Sequence, residues 1–379
     1  MRWFGFGFNA FGQICVRNES DQEESIDAVK IIHPTELSCH VDSSGHRLQT
    51  SRIRASWSRR ASLHSDGDRC VCLAGFGSCV RTESRSCTDV SITESHLTLV
   101  FLDRVESWDL QKEKETPAWS MDIKPESEGF GDVTLPLVPG GYIDSKPPFY
   151  HTLSPHLKAK SLALGAEHAL LLSASGAVYT WGLGSHGQLG HGSLLSEEEP
   201  RAVEALWGMP MSSVASGGWH SVCISNGGDL YVWGWNESGQ LGLPSQSLRK
   251  ASQQNSNQNT GDLCPHPATS SDEELQEEKK QDVFISIQAF PALLDVTPPC
   301  EIRAVSCGSR HTAAVTMKGD LYTWGWGEYG QLGHHTLTSS DEPQRVEFFT
   351  AEQMHVVDVV CGTWNTFVAV VKEEEARSQ

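Results

Sequence analysis

The sequence predicts an all-β chain folded as one seven-bladed β-propeller. Three observations predict it. One phrase recurs along the chain at a spacing of about fifty residues, the size of a propeller blade. Each copy alternates apolar and polar residues around a glycine turn, which is the pattern of antiparallel strands rather than of helix. The two ends of the chain carry complementary halves of a single copy.

The fullest copy reads Cys307-Gly308-Ser309-Arg310-His311-Thr312-Ala313-Ala314-Val315, then Gly319, then Leu321-Tyr322-Thr323-Trp324-Gly325-Trp326-Gly327-Glu328-Tyr329-Gly330-Gln331-Leu332-Gly333. His168 to His220 and Trp181 to Trp233 are both 52 positions apart, and His220 to His311 and Trp233 to Trp324 are both 91. The 39 additional residues fall between Gly242 and Ile302.

In chain order, residues 1–16 are the second half of a copy. Phe4-Gly5-Phe6-Gly7-Phe8 aligns without a gap on Tyr322-Thr323-Trp324-Gly325-Trp326. Residues 17–158 have room for about three degenerate blades. One is a worn copy over 53–77, with Arg59 where the histidine stands elsewhere. Leu97–Leu102 has strand character, answered across a turn by Val105–Trp108. Leu135–Tyr142 reads as an edge or a loop, because proline removes a ladder donor. Residues 160–210, 211–300 and 301–350 are three strong blades. Within the second of them, 244–286 is an acidic insertion rich in Ser, Gln, Asn, Asp and Glu, expected to be a disordered surface loop. Residues 355–373 supply the missing first half of a copy, with Asn365 at the histidine position. A linear array would leave both half-sheets with bare edges, whereas a ring joins 355–373 to 1–16 as one closing blade.

Composition narrows the function. The 379 residues carry a formal net charge of −19, which repels phosphate backbones and argues against direct DNA binding. The one tight basic group, Arg52, Arg54, Arg59 and Arg60, reads as a solvated cluster. The N-terminus lacks the order of a signal peptide and no run of eighteen apolar residues exists, so a soluble, intracellular protein with no membrane association is expected. Eleven cysteines are scattered rather than framed, as reduced thiols are. Cys70, Cys72, Cys79 and Cys87 do not have the paired spacing of a zinc module, and Cys223, Cys307 and Cys361 read as small core residues. Nucleophile-elbow, zinc-protease, phosphate-loop and dinucleotide motifs are all missing, so no enzyme, metal or cofactor is expected.

The pattern Cys/Ser-Gly-x-x-His, Gly-x-x-Tyr-x-Trp-Gly and Gly-Gln-Leu-Gly resembles the regulator of chromosome condensation repeat, specifically over 160–371 and 3–14 and faintly over 17–158. The resemblance implies a seven-bladed propeller. The chain's size, its split closing blade, Gly218-Trp219-His220, Gly234-Trp235-Asn236-Glu237-Ser238-Gly239-Gln240 and the acidic insertion look most like a small nuclear member of that family. That likeness implies a non-enzymatic platform for a jumonji-C oxygenase, with influence on histone lysine methylation and mitotic chromosome stability. The likeness also implies a place in the nucleus, with the cytoplasm and mitotic spindle as further locations; contact with histones is a separate expectation, resting on the acidic loops. The alternative that the family implies is guanine-nucleotide exchange on a small GTPase, an activity that depends on loops outside the repeat phrase.

His168, His220 and His311 recur at one place in every strong blade and cannot converge on one active site, so they are assigned to architecture together with Trp181, Trp233 and Trp324. Function is expected where the copies differ at matching positions. Just before the histidine these are Glu167, Trp219, Arg310 and Trp364; before Gly-Gln they are Ser185 and His186, Glu237 and Ser238, Glu328 and Tyr329, Ala10 and Phe11. Glu167, Trp219, Arg310, Trp364, His186, Glu237, Glu328 and Tyr329 are the partner-binding candidates, since Trp, Tyr and Arg are enriched at binding hot spots.

Overall fold

The structure is a computed structural model and describes residues 1–15, 29–37, 48–65, 69–77, 84–112, 116–123, 133–248 and 283–372. Strands β1 (Arg2–Phe8) and β2 (Lys30–Glu36) open the chain. Three sheets follow: β3 (Thr50–Ala55), β4 (Arg59–His64) and β5 (Cys70–Gly75); β6 (Asp89–Ile92), β7 (His96–Val100), β8 (Arg104–Asp109) and β9 (Trp119–Asp122); β10 (Leu137–Val138), β11 (Gly141–Ile143) and β12 (Tyr150–Thr152). The strong copies give β13 (Ala159–Leu164) to β14 (His168–Ser173), β15 (Val178–Gly182) and β16 (Glu197–Ala202); β17 (Met211–Ser216), β18 (His220–Ser225), β19 (Leu230–Trp235) and β20 (Ile287–Leu294); and β21 (Ile302–Cys307), β22 (His311–Thr316), β23 (Leu321–Gly325) and β24 (Ser340–Arg345). A short helix α1 (Glu347–Ala351) leads to β25 (Met354–Cys361) and β26 (Asn365–Lys372).

These seven sheets are the blades of a closed all-β propeller. The first strand of each blade lies innermost, so that β13 packs on β17, β17 on β21, and β21 on β25. Closure is by register: β1 pairs antiparallel with β26 from Arg2 opposite Val370 to Gly7 opposite Asn365, and the last blade has the order β2-β1-β26-β25. No blade is left with half its ladder unpaired at a chain end. The apolar core lies between blades. Leu170, Leu172 and Val178 pack with Cys223 and Trp233 of the next blade, and Val222, Ile224 and Val232 with Tyr322 and Trp324 of the one after.

Two details depart from expectation. The closing blade extends past residues 1–16, since Lys30–Glu36 is its outer strand. A proline marks that strand. Thr35 pairs with Gly5 just as Arg201 pairs with Thr180, Ala292 with Val232 and Gln344 with Thr323, and each of these outer-strand residues follows a proline: Pro34, Pro200, Pro291 and Pro343. Proline lacks an N–H and is tolerated on an edge. In Leu135–Tyr142 only β10 is an edge strand; Tyr142 sits in β11, the centre of its sheet, because Pro139 and Gly140 turn the chain between Val138 and Gly141. Of the insertion, 249–282 lies outside the described residues, and both described ends, at Leu248 and Val283, belong to the β19–β20 connection.

Blades are sealed by one recurring set of bonds. The main-chain carbonyl of Gln188 accepts from Ser221 Oγ at 2.7 Å and from Trp233 Nε1 at 2.9 Å, both on the following blade. Gln240 repeats this with Thr312 at 2.8 Å and Trp324 at 3.0 Å. At the closing blade Phe6 occupies the tryptophan place, and Thr366 alone donates to the Gln331 carbonyl, at 2.8 Å. Trp181 has a different neighbour, lying edge-on to Tyr142 at 5.9 Å.

Trp324→Phe should therefore cost about 1 kcal/mol, the net worth of one hydrogen bond. Trp324→Ala should cost about 3–5 kcal/mol through the cavity it leaves between blades. Urea denaturation of the two variants measures both; no loss in Trp324→Phe would mean the indole N–H contributes nothing, and equal losses would mean the ring's packing adds nothing beyond it.

Candidate functional site: an aromatic face

The repeated histidines are sealed into the seams. His168 Nε2 lies 3.0 Å from Ser221 Oγ, His220 Nε2 2.9 Å from Thr312 Oγ1, and His311 Nε2 3.0 Å from Thr366 Oγ1. Each hydroxyl gives its proton to a glutamine carbonyl, so it accepts from the histidine, and the Nε2–H tautomer follows. Nδ1 of each ring is buried without a hydrogen-bond partner. Burial holds the three below the usual imidazole range, His168 at about 4 and His220 and His311 at about 3. They are neutral wedges with no route for a proton to a substrate. The glycine three residues before each is required by the ring itself: a Cβ on Gly165, Gly217 or Gly308 would fall inside contact distance of the histidine Cε1 and Nδ1.

The same architecture projects the variable residues. In an antiparallel blade the first–second and third–fourth strand connections emerge on one face. They carry the residues before each histidine and those before each Gly-Gln. Two backbone devices fix them. The glutamine side chain folds back on its own turn, so that Oε1 of Gln188, Gln240, Gln331 and Gln13 accepts from the N–H of His186, Ser238, Tyr329 and Phe11 at 2.7 to 3.1 Å. The glycine after each tryptophan has φ between 102° and 109°, a conformation L side chains rarely adopt. It lets the next residue return to the neighbouring loop, where Trp235 N bonds the Trp219 carbonyl, Trp326 N that of Arg310, and Phe8 N that of Trp364, at 2.8 to 2.9 Å.

An arc of rings results, running over five blades. Trp219 meets Trp235 at 5.6 Å and His186 lies 5.5 Å from Trp235. The Arg310 guanidinium covers Trp235 from the next blade at 4.8 Å. Trp364 reaches back over Trp326 at 5.8 Å and stacks on Tyr329 at 5.3 Å, and Phe8 touches both Tyr329 and Trp364. Trp57 then stacks on Phe8 at 6.1 Å. Lys30 sits over Tyr329 at 5.2 Å and Arg59 over Phe76 at 5.2 Å. Arg310, Trp364 and Trp57, each shortly before the second strand of its blade, cover an aromatic of the preceding blade.

The arc contains His186, Trp219, Arg310, Tyr329 and Trp364, all half-buried, while Glu167, Glu237 and Glu328 are exposed on the connections around it. Trp57, Trp235, Trp326, Phe8 and Phe76 are further members that comparison of the two variable positions does not find. Trp235, Trp326 and Phe8 had a signal, since each directly follows the glycine of a Trp-Gly or Phe-Gly pair. Trp57 had none, because its copy is worn.

The arginine group is not a solvated cluster. Arg59 is buried and donates to the carbonyls of Phe76 at 2.9 Å and Glu94 at 2.6 Å, replacing the histidine as a blade-to-blade tie. Arg52 pairs with Asp89 at 2.7 Å, and burial pulls Arg60 down to about 10. Cys79 lies outside the described residues. Burial pushes Cys72, Cys87 and Cys361 up to about 12, and Cys223 and Cys307 are raised by burial as well, which leaves them as protonated thiols.

Comparison with known proteins agrees with this geometry. The model of the regulator of chromosome condensation (RCC1) repeat matches residues 175–224, 227–315 and 318–369. RCC1 domain-containing protein 1 of Homo sapiens is 41% identical over 394 residues, covering 98% of this chain and 97% of that protein. The Mus musculus protein of the same name is 41% identical over 396 residues, with 99% and 98% covered. Among solved structures, Prp20p from Saccharomyces cerevisiae, described with its binding properties to Gsp1p and histones, has the same fold. It superposes with a TM-score of 0.68 at 16% identity, over 100% of this chain and 94% of its own.

The buried histidines make stability depend on pH. Their folded values lie below the ordinary 6.5, so the unfolded chain binds more protons as pH falls beneath that value. Stability should be full above about pH 7 and decline toward pH 5, with a slope approaching ~1.4 kcal/mol per pH unit for each histidine. His220→Gln should lower stability at neutral pH and remove one such share of the slope. Urea titrations from about pH 7 to about pH 5 check this; an unchanged slope would place the proton uptake elsewhere.

Proposed function

The chain belongs to the regulator of chromosome condensation (RCC1) repeat family, and from that premise we propose that it is a non-enzymatic platform holding a protein partner on its aromatic face. The observation that carries this reading is the arc from Trp219 to Trp57. A fixed backbone repeats from blade to blade while the side chains it presents differ, and those side chains are tryptophan, tyrosine and arginine. A rigid, preorganised aromatic surface loses little side-chain entropy when covered. The titratable groups that recur are neutral and sealed in the seams, which supports binding over chemistry.

The partner we assign is a jumonji-C oxygenase in the nucleus, through which the protein influences histone lysine methylation and mitotic chromosome stability. The extent of likeness to the human RCC1 domain-containing protein 1, nearly end to end, supports carrying that role over. Exposed Glu167, Glu237 and Glu328 around the arc suit a second contact with basic histone tails.

Affinity purification from nuclei tests the assignment. The wild-type chain should recover a jumonji-C oxygenase. Arg310→Glu and Tyr329→Ser should each reduce recovery about tenfold or more while circular dichroism shows both variants still folded. Recovery that is equal for wild type and variants would remove the aromatic face from the interaction. Accelerated nucleotide release from a nuclear GTPase would favour exchange activity instead.

A further inference from the structure

The outer strands of four blades share a proline but not a chemistry. Around it β2 carries His33 and Thr35, β16 carries Glu198, Glu199 and Arg201, and β24 carries Glu342, Gln344 and Arg345. Charges beside a proline keep an exposed edge from pairing with other chains. Strand β20 breaks the pattern, with Ala289, Phe290, Ala292 and Leu293 around Pro291. Between the Val232–Ala292 and Gly234–Gln288 pairs the register slips, and Phe290 within this bulge is exposed. Ile287, Phe290 and Leu293 are 39%, 53% and 52% exposed.

Neighbouring segments extend the apolar surface. The 3-10 turn Glu204–Leu206 packs against β20 and is followed by Trp207, 67% exposed, and Met209. Met209 Sδ lies 3.4 Å from Tyr231 Oη, and Tyr231 is the register partner of Leu293, so these side chains share one side of the sheet. The loop before β16 closes the other flank: Gly192 N bonds the Ala289 carbonyl at 2.9 Å, Gly192 rests against the Phe290 ring, and Leu195 is exposed three residues on. A continuous apolar patch of this kind on a strongly charged chain marks an interaction site.

Its border is acidic. Glu198 and Glu199 follow Leu195, Glu204 precedes Trp207, and Asp295 follows β20, all exposed; the nearby Arg201 is already paired with Glu197. We infer that the outer edge of this blade is a second docking surface, separate from the aromatic face, for a protein segment with apolar anchors flanked by Lys or Arg. The acidic border repels anionic lipid and nucleic acid. It also opposes a second copy of this chain, which would bring like charges and two net charges of −19 together.

The test uses the full chain and a fluorescently labelled amphipathic Leu/Lys peptide, with a Leu/Glu peptide of equal length as control. Anisotropy should show saturable binding of the Leu/Lys peptide, weakened by salt, and no binding of the Leu/Glu peptide. Phe290→Ser with Leu293→Ser removes apolar area without changing charge and should weaken binding about tenfold. Glu198→Lys with Glu204→Lys, both at exposed positions, should weaken it similarly. Leu102→Ser, at an exposed turn on another blade, should leave it unchanged. Binding that is equal in all variants, or equal for both peptides, overturns the inference. A dimer in analytical ultracentrifugation that the Ser variants dissolve would assign the surface to a second copy instead.

Discussion

The seams of the three strong blades depend on a single backbone carbonyl each, that of the glutamine in Gly-Gln-Leu-Gly. It faces the next blade and accepts from a serine or threonine hydroxyl and from an indole N–H. A buried carbonyl must be satisfied, and here satisfying it joins two sheets that share no ladder. The histidine is the second layer of the same seam, donating to the hydroxyl that the carbonyl has oriented. The glutamine side chain meanwhile holds the turn above. One residue thus couples seam to surface: its main chain seals the blades, and its side chain fixes where the variable residue of the face will stand.

Where the seam wears, other chemistry takes its place. Arg59 replaces histidine and reaches across to the Glu94 carbonyl. In the following blade His96 opens the second strand, as the repeat histidines do, but Thr93 stands where the others have glycine. Its ring cannot fold back as they do; it bonds Ser95 Oγ at 2.8 Å and packs on Phe149 at 4.8 Å. At the closing blade Asn365 fills the histidine place and Phe6 the tryptophan place. The antiparallel register from Arg2 to Gly7 joins the chain's two ends within that blade, and Thr366 alone bonds the Gln331 carbonyl across the seam. The family pattern is faint over 17–158 because these blades are sealed by residues outside the phrase.

The architecture was legible because the phrase is an inter-blade contract written in side chains, and copies of it count blades. Strand β2 was hidden because it carries none of that phrase; only Pro34, at the place of Pro200, Pro291 and Pro343, betrays it. The face was legible as positions, since differing residues at matching places must point somewhere other than the seam. Which of them touch was not, because Arg310 covers Trp235 and Trp364 covers Trp326 across a blade boundary, an adjacency that sequence separation conceals. The arginine group misled because four cations in nine residues suggest water, while strand alternation and the seam take Arg59 and Arg60 inward.

The seam is constant and the face variable, and recognition is proposed for the face. Hydrogen–deuterium exchange on the chain alone and bound to the proposed partner tests that separation most directly. New protection should appear in the connections carrying Trp57, Trp219, Arg310, Tyr329 and Trp364. The opposite turns around Gly176, Gly228 and Gly319 should exchange as before. Protection confined to those opposite turns, with the aromatic connections unchanged, would contradict it.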